Sequence, residues 1–194
     1  MDVIADPALI RLATERLILR PPQLADAPAV QHYCIANRHH LQPWQPLRPA
    51  GFFGLAAVEQ RLAYIEQERL AGRLLHLSIW THGTDEVPAE LIGECNFSNI
   101  VLGPFQACHL GYSLAADAQG QGLMHEALRA GTAYVFNELG LHRIMANYLP
   151  ENERSGRVLA ALGFEREGLA RSYLKINGVW ADHVLTSLIN PAHR

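Results

Sequence analysis

The spacing of apolar positions changes repeatedly along this chain, and each change marks an element. Leu17 and Leu19 alternate with polar or smaller residues over Thr14 to Arg20, which predicts a first strand ending at Pro21-Pro22. Leu24 to Arg38 reads as a helix with Leu24, Ala27, Val30, Cys34 and Ile35 on one side. His40 to Gly54, broken by Pro43, Pro46 and Pro49, reads as a loop. Leu55 to Ala71 regains helical spacing through Leu55, Val58, Leu62, Ile65 and Leu70, and Gly72 is placed to stop it. Arg73 to Thr81 and Ala89 to Ile100 flank the turn-rich His82 to Asp85 as a hairpin. Ala107 to Ala115 is a further strand, Met124 to Glu138 a helix, His142 to Leu149 a strand and Glu153 to Leu162 a shorter helix ended by Gly163. Phe164 to Ala170 and Tyr173 to Ile189 return to strands, with Asn177-Gly178 as a hairpin turn.

The predicted order is β-α-α-β-β-β-α-β-α-β-β. Three antiparallel strands feeding a β-α-β-α-β run imply an α/β fold with a mixed central sheet and helices on its faces. A doubly wound nucleotide fold would alternate from the start. No repeat, linker or low-complexity tract divides the sequence, so one domain over residues 1–194 is expected, with its core at about 12–188.

Composition narrows the function classes. The 194 residues are 49% hydrophobic and 18% charged, which suits one sizeable core. A net charge of -3 and a pI near 6.3 give no basic footprint for nucleic acid. Met1 to Pro7 carries acids and lacks the basic start of a signal peptide, and no apolar run is long enough for a membrane span, so a cytoplasmic protein is expected. Cys34, Cys95 and Cys108 are scattered and read as buried thiols; the ten histidines show no metal-ligand spacing. No metal is expected, and monomer and homodimer both stay open.

Gln119-Gly120-Gln121-Gly122-Leu123-Met124 lies between a strand and the long helix. Two glycines let the backbone turn its N–H groups outward, and the helix start adds partial positive charge, so the segment has the makings of an anion cradle. It lacks the lysine of a P-loop and the third glycine of a dinucleotide fingerprint. By itself it reads first as an ordinary glycine turn before a helix. On the strand before it, Gly111-Tyr112-Ser113-Leu114-Ala115 departs from a serine-hydrolase elbow at its last position, and no helix follows directly.

The loop resembles the coenzyme signature Q/R-x-x-G-x-G/A of the GNAT acetyltransferases, with Gln119 and Gly122 matching and Met124 departing at the third place. Asn152-Glu153-Arg154-Ser155 and Leu162-Gly163-Phe164 resemble the family's second signature. Thr14-Glu15-Arg16-Leu17, Pro43-Trp44, Asn96-Phe97-Ser98-Asn99, His142-Arg143-Ile144, Arg154-Ser155-Gly156 and Trp180-x-Asp182-His183 are similar to the ribosomal-protein alanine N-acetyltransferases of the RimJ type, from about Leu12 to Leu188.

That resemblance implies acetyl-CoA as cosubstrate and the N-terminus of a small-subunit ribosomal protein as acceptor. It implies a sheet splayed between the fourth and fifth strands, with Leu110, Gly111, Tyr112 and Leu114 along the pantetheine arm and the amides of Gln121 to Met124, with Gln119 and Gly120, around the pyrophosphate. Ser155 stands where the family places its proton donor and Asn152 within reach of pantetheine; both residues also suit a helix start. Arg38 and Trp44 flank the proline loop over the acceptor entrance, or anchor it. From the strand pattern itself, Glu94, Asn96 and Ser98 share one face, with Glu94 the candidate base and Asn96 and Ser98 candidate acceptor contacts, although a solvent-facing polar strand has the same pattern. Tyr112 on the adjacent strand is either close to the acetyl group or a core aromatic. Acetylation of a small molecule, such as an amino acid, polyamine or antibiotic, is an alternative; so is a non-catalytic acyl-CoA-binding module associated with the ribosome.

Overall fold

A computed structural model describes residues 10–193; the acidic start from Met1 to Pro7 lies outside them. Eight strands form one sheet: β1 (Leu12–Ala13), β2 (Leu17–Arg20), β3 (Leu75–Thr81), β4 (Leu91–Val101), β5 (Ala107–Leu114), β6 (Arg143–Tyr148), β7 (Glu165–Ile176) and β8 (Val179–Ile189). Their spatial order is β1-β2-β3-β4-β5-β6-β8-β7, and β5 with β6 is the parallel pair among antiparallel neighbours. Five helices accompany them: α1 (Ala27–Ala36), α2 (Arg38–Leu41), α3 (Leu55–Leu70), α4 (Leu123–Asn137) and α5 (Glu153–Ala161).

The expected mixed sheet is present, but the predicted elements are corrected at four places. Leu12–Ala13 adds a short edge strand against β2. Leu24 to Arg38 is not one helix: a 3-10 turn over Leu24–Asp26 resets the phase before α1, so Leu24 and Ile35 are exposed while Ala27 and Tyr33 are buried. That turn is held by Asp26, which accepts from the Gln23 backbone and pairs with Arg20. The proline stretch after α1 contains α2 and two 3-10 turns, Gln42–Trp44 and Ala50–Phe53. At the far end, the strand beginning at Phe164 does not stop at Ala170 but continues to Ile176 through shifts in register, and Asn177-Gly178 forms the turn to β8.

Strand alternation gives the sheet two unlike faces. Cys95 and Phe97 face α4, where the Phe97 ring lies against Gly131 so closely that an added methyl would sit 3.2 Å from it. Buried Leu77, Ile79, Leu128, Val135 and Ile144 belong to the same core. On the other face α1 and α3 pack with Ala27, Val58 and Leu62 between them. Among the described residues no helix is long and apolar enough to cross a membrane.

Candidate active site

Parallel pairing of β5 with β6 runs from Ala107↔Arg143 to Leu110↔Ala146 and stops there. β5 continues to Leu114 and stays paired with β4, while Asn147 and Tyr148 of β6 stay paired with β8. The sheet therefore opens between β5 and β6 at Gly111, leaving backbone groups of both strands without each other as partners.

Tyr112 reaches across toward the start of α5. Its hydroxyl lies 2.6 Å from Ser155 Oγ. Asn152 caps α5 by accepting from the Ser155 N–H at 3.2 Å, which holds the serine in the first turn. That turn lies on the Tyr148 ring, and glycine follows the serine where the approach is close: a Cβ at Gly156 would stand 3.0 Å from the ring, tighter than ordinary contact. Burial pushes the Tyr112 phenol up to about 12, against the lowering effect of its bond to Ser155.

Glu94 belongs to the opposite face. It pairs in register with Ser113, whose hydroxyl donates to Glu94 Oε1 at 3.4 Å and shares a 2.9 Å bond with the Tyr33 hydroxyl. His76 Nε2 lies 3.3 Å from Glu94 Oε2. Burial alone would raise the Glu94 pKa, but the His76 hydrogen bond and charge, the Arg48 charge and the Ser113 hydroxyl hold it below the ordinary carboxylate range. About a third of this side chain remains accessible (33%). It opens into a cavity lined also by Tyr33, Cys34, Arg38, Arg48, Phe52 and Arg61.

The glycine loop enters α4 from the β5 side of the opening. Gly120 and Gly122 have φ of 75 and 76, a left-handed region that favours glycine, and no side chain caps the first amides of α4. Arg16 donates to the Gln121 carbonyl at 2.8 Å while paired with Glu126. Arg154 donates to Gln119 Oε1, and Gln119 Nε2 lies 2.8 Å from His40 Nε2. Met124, the departure from the signature, is buried in the core, so the side chain at that position leaves the loop surface free.

The other predicted residues divide clearly. Leu110, Leu114 and Leu123 are buried core side chains, so they offer the opening main chain only. Gly111 lies under the Asn96 side chain, 3.2 Å from where its Cβ would be. Of the four predicted acceptor residues, Arg38 lines the Glu94 cavity; Trp44, Asn96 and Ser98 lie outside that lining. His76, Tyr33, Arg48 and Arg61 were not singled out from the sequence. The β7–β8 turn was predicted at Asn177-Gly178 but given no place at the site; its Asn177 N–H donates to the Gln45 carbonyl at 2.9 Å and ties the hairpin to the proline loop. Trp180-x-Asp182 in the RimJ-type pattern was the available signal for that hairpin.

Comparison with known proteins shows the family. A family model described as an acetyltransferase (GNAT) domain matches residues 16–165. The ribosomal protein uS5-alanine N-acetyltransferase of Escherichia coli is 44% identical over 182 residues, covering 94% of this chain and 92% of that protein. The crystal structure of ribosomal-protein-S5-alanine acetyltransferase from Vibrio fischeri superposes with a TM-score of 0.88 at 39% identity, covering 95% of this chain and 99% of that one. Mycobacterium smegmatis RimJ in complex with CoA-disulfide gives a TM-score of 0.83 at 32% identity, over 89% of this chain and 81% of the other.

Proposed function

Because the chain belongs to the GNAT acetyltransferase family, we propose that it moves an acetyl group from acetyl-CoA to the N-terminal α-amine of a small-subunit ribosomal protein, in the cytoplasm and by direct attack. The observation that carries this reading is the opening between β5 and β6, with the Tyr112–Ser155 pair on one face of the sheet and Glu94 in a cavity on the other. The similarity to uS5-alanine acetyltransferases along nearly the whole chain supports the protein acceptor.

The residues present fit an acyl-CoA. Uncapped amides at the start of α4, behind two left-handed glycines, suit a diphosphate, and the neighbouring Arg16 and Arg154 add positive charge to the loop. The coenzyme supplies an acetyl group activated as a thioester. Unpaired main chain at Gly111 and beyond suits the amides of its pantetheine arm.

Direct attack needs a neutral amine. A free α-amino group has a pKa of ~8, so roughly a tenth is neutral at pH 7 and modest help suffices. Glu94, held low, stays ionised across this range; it attracts the incoming ammonium and orders water beside it. His76 at its back is the side-chain type suited to passing the released proton onward. On the other face, Ser155 donates a hydrogen bond to the departing sulfur, and Tyr112 orients that hydroxyl. An acyl-cysteine route is poorly served: burial pushes the Cys95 and Cys108 thiols up to about 12 and raises Cys34, so none is a ready thiolate.

The test is intact-mass spectrometry of unacetylated ribosomal proteins incubated with acetyl-CoA and this protein. One small-subunit protein is expected to gain a single acetyl group at its N-terminus. If coenzyme binds but every ribosomal protein keeps its mass, the acceptor assignment fails.

A further inference from the structure

The Glu94 cavity carries more positive charge than a generic amine site requires. Three guanidiniums, Arg38, Arg48 and Arg61, line it with Glu94 as the one carboxylate, leaving a local net charge of +2 in a chain whose total is -3. Among the described residues, none of the three forms a salt bridge. Each is instead laid over an aromatic ring: Arg38 over Phe53 at 4.9 Å, Arg48 and Arg61 over Phe52 at 4.6 and 3.8 Å. Arg61 is further fixed by a 2.6 Å bond to the Phe52 carbonyl. Arg61 also donates to Cys34 Sγ at 4.0 Å, so stacking positions all three heads, and Arg38 and Arg48 keep their donors for a ligand.

The crowding has an electrostatic cost. Burial lowers the Arg61 pKa, and the neighbouring Arg48 charge lowers it further, while Glu94 works in the opposite direction. Like charges held together around a concave surface favour whatever anion enters it. The amine itself is no such anion: it is drawn to Glu94 and repelled by the three arginines. The part of the acceptor just behind the amine must balance them.

We propose that the cavity selects acceptors by charge, binding a carboxylate carried in the first few residues behind the reacting amine. The inference rests on reading the Glu94 cavity as the acceptor site. The protein acetylated can be basic overall, but its first residues bear an acid.

The experiment uses free-amine peptides of one sequence with Glu, Gln or Lys at the second, third or fourth position, competing for acetyl-CoA, with unacetylated ribosomal proteins and free glutamate in parallel. The Glu peptide is expected to exceed its Gln partner in kcat/KM by roughly ten- to a hundredfold at the best position, the gain of a hydrogen bond to a charged group. Lys should be poorest. In Arg48→Gln and Arg38→Gln the Glu-to-Gln ratio should shrink; being a ratio, it does not depend on how much of a variant is folded. Equal acetylation of Glu and Gln peptides overturns the charge inference and leaves acetyl transfer to proteins standing. Modified ribosomal proteins with every peptide untouched also overturn it, since recognition then lies beyond the first residues. Free glutamate outpacing all peptides upholds the carboxylate site and overturns the protein acceptor. If nothing is acetylated, both readings fall.

Discussion

Replacing Ser155 with Ala should slow the chemical step by roughly ten- to a hundredfold while coenzyme affinity stays nearly unchanged. The magnitude follows from the Tyr112–Ser155 pair. Burial pushes the Tyr112 phenol up to about 12, and even a free thiol, at ~8.5, is more acidic than an ordinary phenol, so full proton transfer from phenol to thiolate is uphill. Neither hydroxyl is therefore a good acid. A hydrogen bond that strengthens as sulfur becomes negative is worth ~1.5–3 kcal/mol, which sets the expected loss. At 2.6 Å the two oxygens share one proton, and if Tyr112 supplies it the serine proton is left to point at sulfur. Tyr112→Phe should then cost less, about three- to tenfold, because Ser155 keeps its own proton and loses only orientation. The double variant should fall close to Ser155→Ala alone, since the tyrosine acts through the serine.

The assay is single turnover at saturating acetyl-CoA with an acceptor that is turned over, alongside equilibrium coenzyme binding. A Ser155→Ala rate within about twofold of wild type, with chemistry shown to be rate-limiting, would refute this account and reduce Ser155 to a residue of the capped turn. Strictly multiplicative losses in the double variant would show two independent donors, against the geometry of one pair.

Gly122→Pro should weaken coenzyme binding severely: proline fixes φ near -65° where the loop has 76, and it removes a backbone donor. Unchanged affinity by calorimetry would separate the loop from the diphosphate. Glu126→Gln should cost about 1–3 kcal/mol at neutral pH, because Glu126 binds the Thr14 hydroxyl, the Arg16 backbone and the Arg16 side chain while 10% exposed. Burial alone would raise its pKa, but these partners hold it below the ordinary 4.5. Its contribution is therefore present above that value and lost as pH falls through the lower folded value, so denaturant curves of wild type and variant should converge in acid. A gap independent of pH would argue against an ionised anchor.

The elements with strong local periods were legible in the chain: the β3–β4 hairpin, β5, α4 and α5 fall within a few residues of the spacing that predicted them. The helix over Leu24 to Arg38 was not, because one 3-10 turn moves the apolar stripe and puts Tyr33 inside in place of Ile35. The arginine cavity was invisible for another reason. Arg38, Arg48 and Arg61 come from three successive segments, and what joins them is tertiary stacking on Phe52 and Phe53, which leaves no periodic trace.

Cross-strand register was the other hidden quantity, and it decides how the chemistry is divided. Alternation alone says that Glu94, Asn96 and Ser98 share a face; it does not say which residues of β5 join them. The observed register sets Glu94 opposite Ser113 and Cys95 opposite Tyr112, so Glu94 and the proposed Tyr112–Ser155 pair lie on opposite faces. In an unbroken sheet they would be separated by backbone. Because β5 and β6 part after Leu110, both faces have access to one gap. Amine and sulfur can then be served from opposite sides without any group having to act on both. For that arrangement the opening of the sheet matters more than an unusually strong acid or base.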